Sequence, residues 1–133
     1  MPVAANPHSR EYYVYTMRAE GHPFYVGIGR DKRASDRVRW VQSQIARELR
    51  GLPAKWVRHT CVIRRLLEAN IAVKSKTHRA NLNRAEALTF ERELIQRLKR
   101  RGIVLANHHH NADCTLDADQ IVADLKERIS RSA

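Results

Sequence analysis

Two short runs, YYVYTM at residues 12 to 17 and PFYVGI at residues 23 to 28, constrain the fold of this chain more than any other feature. Both are dense in the aromatic and β-branched types that fit a pleated surface, and the AEGH between them supplies a turn glycine at Gly21. They predict a β-hairpin. The rest of the chain reads as the helices and further strand that would cover it. From Ala34 to Arg50, Val38, Val41, Ile45 and Leu49 recur at helical spacing, Ser35 or Asp36 can cap the start, and Gly51 follows the end. A second helix is expected from Pro53 or Lys55 to Glu68, with Val57, Cys61 and Leu67 among its inward residues. IAVKSKTH, residues 71 to 78, starts in alternation and predicts a third strand at a sheet edge with its lysines toward water. A third helix opens at Asn83, where Glu86 completes a capping box, and runs to about Arg100 before Gly102. After the apolar IVLA run and the tract HHHNADCT, read as irregular, Asp117 and Gln120 open a last helix with Ile121, Leu125 and Ile129 on one face.

The order is thus β-β-α-α-β-α-α, an α+β chain. Its 133 residues, 43% of them hydrophobic, suit one domain with a real core, about 11–112, followed by a helix over about 117–131. Lys and Arg number 25 against 14 Asp and Glu, a formal charge of +11 spread through every segment. Such a field favours a polyanion, most simply nucleic acid, with an anionic membrane the weaker option. No signal-peptide or membrane-spanning run is present, so an intracellular setting is expected. Cys61 and Cys114 lie far apart and form neither a CxxC pair nor a disulfide framework.

One residue breaks a regular pattern. On the helix after Asn83, Ala87, Phe90, Leu94, Ile95 and Leu98 fall in one sector at ~100° per residue, and Glu91 falls in the middle of it. Arg92, Glu93, Arg97, Lys99 and Arg100 point elsewhere. A carboxylate withdrawn from water without a partner costs several kcal/mol, on the order of the penalty for a buried ion. An arginine, a metal ion or neutralisation must therefore meet it. A surface Glu at the stripe's edge, a buried salt bridge and a metal-binding carboxylate all stay open on this pattern.

Tyr13, Val14 and Tyr15, then Tyr25, Val26 and Gly27, resemble the paired motifs of the GIY-YIG nuclease superfamily. PFYVGIGRDKRASDR is most similar to the branch that includes the LEM-domain and ankyrin-repeat structure-selective endonucleases and their small bacterial and phage relatives. ALTFERELIQRLKRRGIVLAN resembles the family's later signature, so the likeness covers residues 12 to 107. The resemblance implies a three-stranded antiparallel sheet flanked by helices. It matches Tyr15 and Tyr25 to the motif tyrosines, Gly27 to a glycine that permits close backbone approach, and Arg33 to the catalytic arginine. Arg37 stands where many relatives have His, Glu91 matches the metal-binding glutamate, and Asn107 matches an asparagine that shapes the site. Departures are Tyr13 in place of Gly, Ile28 where relatives often carry Lys, and HHHN where Gly-Gly often follows the asparagine.

The implied chemistry is hydrolysis of a phosphodiester in DNA, RNA staying open. One Mg²⁺ or Mn²⁺ on Glu91 would assist the leaving 3′-oxygen, and Arg33 would fork onto the non-bridging oxygens, a geometry lysine cannot reproduce. A phenol's ordinary pKa is about 10, so Tyr15 or Tyr25 serves as a base only with cations nearby, Arg30 or Lys32 being candidates. The other aromatic strand residues, Tyr12, Tyr13 and Phe24, read as packing. Arg30, Lys32, Arg37, Lys55, Arg58 and His109 are candidate nucleic-acid contacts, with Arg39, Arg47, Arg50, Arg64 and Arg65 on the same two helices. Gly27 and Gly29 lack the rest of a dinucleotide loop, and the consecutive His108, His109 and His110 fit no zinc spacing. A binding protein of the same fold without catalysis, and a nuclease toxin with a neutralising partner, are the rival readings. A homodimer is also compatible with the sequence.

Overall fold

A computed structural model describes residues 10–31, 33–54, 56, 58–107 and 118–132, with residues 33–35 and 58 described by backbone alone. The elements are β1 (Tyr12–Ala19), β2 (His22–Arg30), α1 (Arg33–Leu49), α2 (Arg58–Glu68), β3 (Val73–Leu82), α3 (Arg84–Arg100) and α4 (Ala118–Ser132). The expected α+β order is therefore the observed one. The strands form one antiparallel sheet in the order β2-β1-β3. Glu20 and Gly21 turn the hairpin at φ 46° and 87°, a left-handed pair that matches the twist of tightly joined strands. Glycine takes this conformation without a Cβ penalty.

Helices cover both faces of the sheet. Tyr15, Met17 and Ala19 of β1 pack with Val41 of α1, with Val62, Ile63 and Leu66 of α2, and with Ile121, Val122 and Leu125 of α4. On the other face, Val14 and Val26 pack with Ala87, Leu94, Ile95 and Leu98 of α3. Alternation along β1 separates the two sets. Three register irregularities interrupt it: Phe24 is an extra residue on β2, His78 on β3, and a further slip at Asn81, where φ is 59°, adjusts the end of β3.

Asn83 caps α3 through its side chain, which accepts from the Glu86 amide, while Glu86 accepts from the Asn83 amide, the expected capping box. The second helix differs from expectation. It begins at Arg58, because Arg47 Nε donates to the Pro53 carbonyl at 2.8 Å and holds the preceding stretch as a strap. The Trp56 indole donates to Glu48 at 2.6 Å, Arg64 lies 4.7 Å over its ring, and Trp40 meets it edge-on at 6.3 Å. On α2 the buried face is Thr60, Val62, Ile63 and Leu66, whereas Cys61 and Leu67 are only half-buried. Val57, Cys114 and Asp117 lie outside the described residues. The third strand runs further than expected, to Leu82, since β1 continues to pair with it as far as Tyr12. Among the described residues no helix is long and apolar enough to cross a membrane.

A polar knot sits on the α3 face of β1. Thr16 is fully buried, its Oγ1 accepts from Arg18 Nε at 2.9 Å, and it lies 2.9 Å from His78 Nε2. Arg18 also donates to the Gly21 carbonyl. Arg18 Nη2 lies 3.5 Å from the same imidazole nitrogen, so a guanidinium stands directly beside the ring. Burial, then the charges of Arg18, Lys76 and Arg97, hold the His78 pKa below its ordinary value. The unfolded chain therefore takes up a proton that the folded one resists. Stability is expected to be full above about pH 6.5 and to fall as the pH drops below it. Thermal unfolding between neutral and mildly acidic pH checks this: His78→Gln should flatten the profile, and an unchanged profile would count against it.

Candidate functional site

Tyr13, Tyr15 and Tyr25 form a ladder on one face of the sheet, with ring centroids 5.8 Å apart between the first two and 6.5 Å between the last two. The ladder ends on His59 of α2, stacked on Tyr25 at 4.3 Å and 17°. The two motif tyrosines differ in access. Tyr15 is 0% exposed in the core, whereas Tyr25 is half-buried. Gly27 pairs with Tyr15 across the hairpin, and a Cβ there would lie 2.6 Å from the Tyr15 Cζ. What approaches Gly27 closely is thus the Tyr15 ring.

β2 is an outer strand, and the segment after α3 borders its free edge. Ala106 donates its amide to the Phe24 carbonyl at 2.6 Å. Asn107, 6% exposed, uses its side chain as a substitute strand: Oδ1 accepts from the Val26 amide at 2.9 Å, and Nδ2 donates to the Val26 carbonyl at 2.7 Å. Replacing Asn107 with Leu would leave both Val26 groups buried and unpaired, so a loss of about 2–3 kcal/mol is expected in chemical unfolding. A loss of less than about 1 kcal/mol would contradict this reading.

Helix α1 begins directly after this strand. Arg33 is its first residue and Arg37 follows one turn later, so their Cα atoms share a flank of α1. The Arg33 side chain lies outside the described residues, as do Lys32, Lys55, the Arg58 side chain, and His108, His109 and His110. Arg37 is half-buried, and its Nε is buried without a hydrogen-bond partner among the described residues. Arg30 is placed differently. It pairs with Glu11 at 2.9 Å and lies 5.3 Å over Tyr12, whose packing is on the α3 face, so it does not supply charge to Tyr15 or Tyr25. Arg47, Arg64 and Arg65 are likewise engaged, by the Pro53 carbonyl, by Glu48 and Glu68, and by Asp119. Arg39 and Arg50 are exposed.

Glu91 is half-buried on α3, with Ala87 one turn before it and Leu94 and Ile95 one turn after it buried. Arg92 and Glu93 are exposed; Lys99, against expectation, is half-buried. α3 packs on the sheet face opposite the tyrosine ladder. Glu91 is thus carried by the helix on one face of the sheet, and Tyr25 belongs to the ladder on the other. Among the described residues no three His, Cys, Asp or Glu side chains gather to hold a metal ion. A single half-buried carboxylate is a ligand of the kind a hard divalent ion takes while keeping most of its water. On the α3 side, Tyr12, Ile28, Gly29, Arg30, Arg84 and Leu88 line an open cavity of about 530 Å³.

Comparison with protein-family models, with curated proteins and with solved structures returns no match. His59 is a site neighbour that the sequence motifs do not mark. Its signal is periodicity, since His59, Ile63 and Leu66 share one side of α2.

Proposed function

We propose that this protein is a GIY-YIG-type endonuclease that uses a divalent metal ion to hydrolyse phosphodiester bonds in intracellular DNA. The observation that carries the reading is Glu91, a carboxylate recessed among apolar neighbours of α3 over the sheet whose outer strand bears Tyr25 and Gly27. Glu91 would hold one Mg²⁺ or Mn²⁺, which when bound supplies Lewis-acid stabilisation of the departing 3′-oxygen. Arg33 and Arg37, one turn apart on α1, grip the non-bridging oxygens. Of the two tyrosines Tyr25 is the one placed to take the proton of the attacking water, because it reaches solvent while Tyr15 is enclosed; it would do so as the phenolate, a form that the guanidinium groups of Arg33 and Arg37 would have to stabilise. Tyr15 and His59 fix the Tyr25 ring between them. Asn107 holds the border of the site through Val26.

The test is supercoiled plasmid with Mg²⁺ or Mn²⁺. Wild type should give nicked or linear product, and Glu91→Gln and Arg33→Ala should not. Undiminished cleavage by both variants would discard the site. A wild type that binds nucleic acid yet cuts neither plasmid, branched DNA nor RNA would instead be a binding module of this fold.

A further inference from the structure

On the α3 face of the sheet, basic side chains gather around the C-terminal end of that helix. Lys74 stands opposite Arg18 and Lys76 opposite Thr16 in the β1–β3 register, so both lysines share the face of Arg18. Arg101 is close enough to act electrostatically on Arg18, and Arg97 on His78. Among the described residues none of these groups forms an ion pair. Elsewhere some of the arginines are paired, Arg10 with Glu86, Arg65 with Asp119, Arg128 with Asp124 and Arg131 with Glu127, while others such as Arg39 and Arg50 stand exposed but apart from one another in sequence.

Lysines on an edge strand can serve simply to repel other strands. That role requires neither their convergence on one face nor arginines supplied by β1 and α3. Like charges held together weaken a fold unless a counter-ion offsets them. The knot of Thr16, Arg18 and His78 makes the centre of the patch rigid, while Lys74, Lys76, Arg97 and Arg101 are exposed around it. A membrane surface is the poorer ligand, because the exposed large apolar residues among those described, Trp40, Leu49, Leu52 and Leu88, all lie outside the patch and none could insert there.

We propose that this face is a second nucleic-acid contact, binding the phosphate backbone of a segment other than the one presented to Tyr25 and Glu91. The inference takes the identity of its ligand from the proposed function, and it holds whether or not the chain cuts that ligand.

The experiment measures binding of a fluorescent duplex in EDTA across a salt series, for wild type and for the combined variant Lys74→Ser, Lys76→Ser and Arg101→Gln, all exposed positions. Circular dichroism confirms that the variant is folded. The variant should bind about tenfold more weakly near 0.1 M salt, with a log–log salt slope shallower by roughly 2. Unchanged affinity and slope overturn the proposal even if wild type cleaves plasmid. Weakened duplex binding by a protein that never cleaves leaves the surface standing and removes the nuclease reading. Loss of binding to phosphatidylserine vesicles with duplex binding intact assigns the face to lipid and also overturns the proposal.

Discussion

Glu91→Gln should lower plasmid cleavage by on the order of 10²–10³-fold, the scale for removing one preorganised charge from a phosphoryl or acyl transition state. Gln has nearly the volume of Glu, so the packing against Ala87, Leu94 and Ile95 survives and folding should change by no more than about 1 kcal/mol. Duplex binding in EDTA should be retained or slightly strengthened, because the carboxylate repels phosphate and contributes to binding only with a metal in place. The split between lost turnover and retained binding is the informative result. Cleavage within about tenfold of wild type at saturating Mg²⁺ would remove Glu91 from the chemistry.

Gly27→Ala should produce the second large effect. The added methyl would sit 2.6 Å from both Cζ and Oη of Tyr15, a ring that is fully buried and has no space to swing into. Overpacking of this kind typically costs about 1–3 kcal/mol, so a loss of that size is expected in thermal unfolding. Displacing Tyr15 also shifts Tyr25, which leans on it at 6.5 Å, so turnover should fall along with stability. Gly29→Ala provides the control. Its Cβ would meet the Tyr13 Cζ at 2.5 Å, but Tyr13 is only half-buried and can yield toward solvent. Equal losses in the two variants would refute the argument.

The hairpin, α1, α3 and α4 were legible because their signals are local: β-branched runs around a turn glycine, 3.6-residue periodicity, and the Asn83–Glu86 capping box. The start of α2 was not. Arg47 reaching Pro53 and Trp56 reaching Glu48 are tertiary contacts, and they override the helical reading of residues 53 to 57. The extra residues Phe24 and His78 were equally hidden, since a bulge depends on the partner strand. At the site, Glu91 stood out as a charge inside an apolar stripe, and it is half-buried, between the surface and buried positions that the pattern left open. Which arginines are available was not legible, because Arg30, Arg47, Arg64 and Arg65 are engaged by partners distant in sequence or by carbonyls.

The chain's two tryptophans sit together, ring against ring, where α1 meets the strap before α2. All of its indole fluorescence therefore originates in one corner. Trp40 is one turn along α1 from Arg37, whereas the lysines of β3 lie across the sheet. An oligonucleotide settling on the arginine side would alter that emission and one settling on the far side would leave it unchanged, so a single titration can separate the two modes of occupancy without any label.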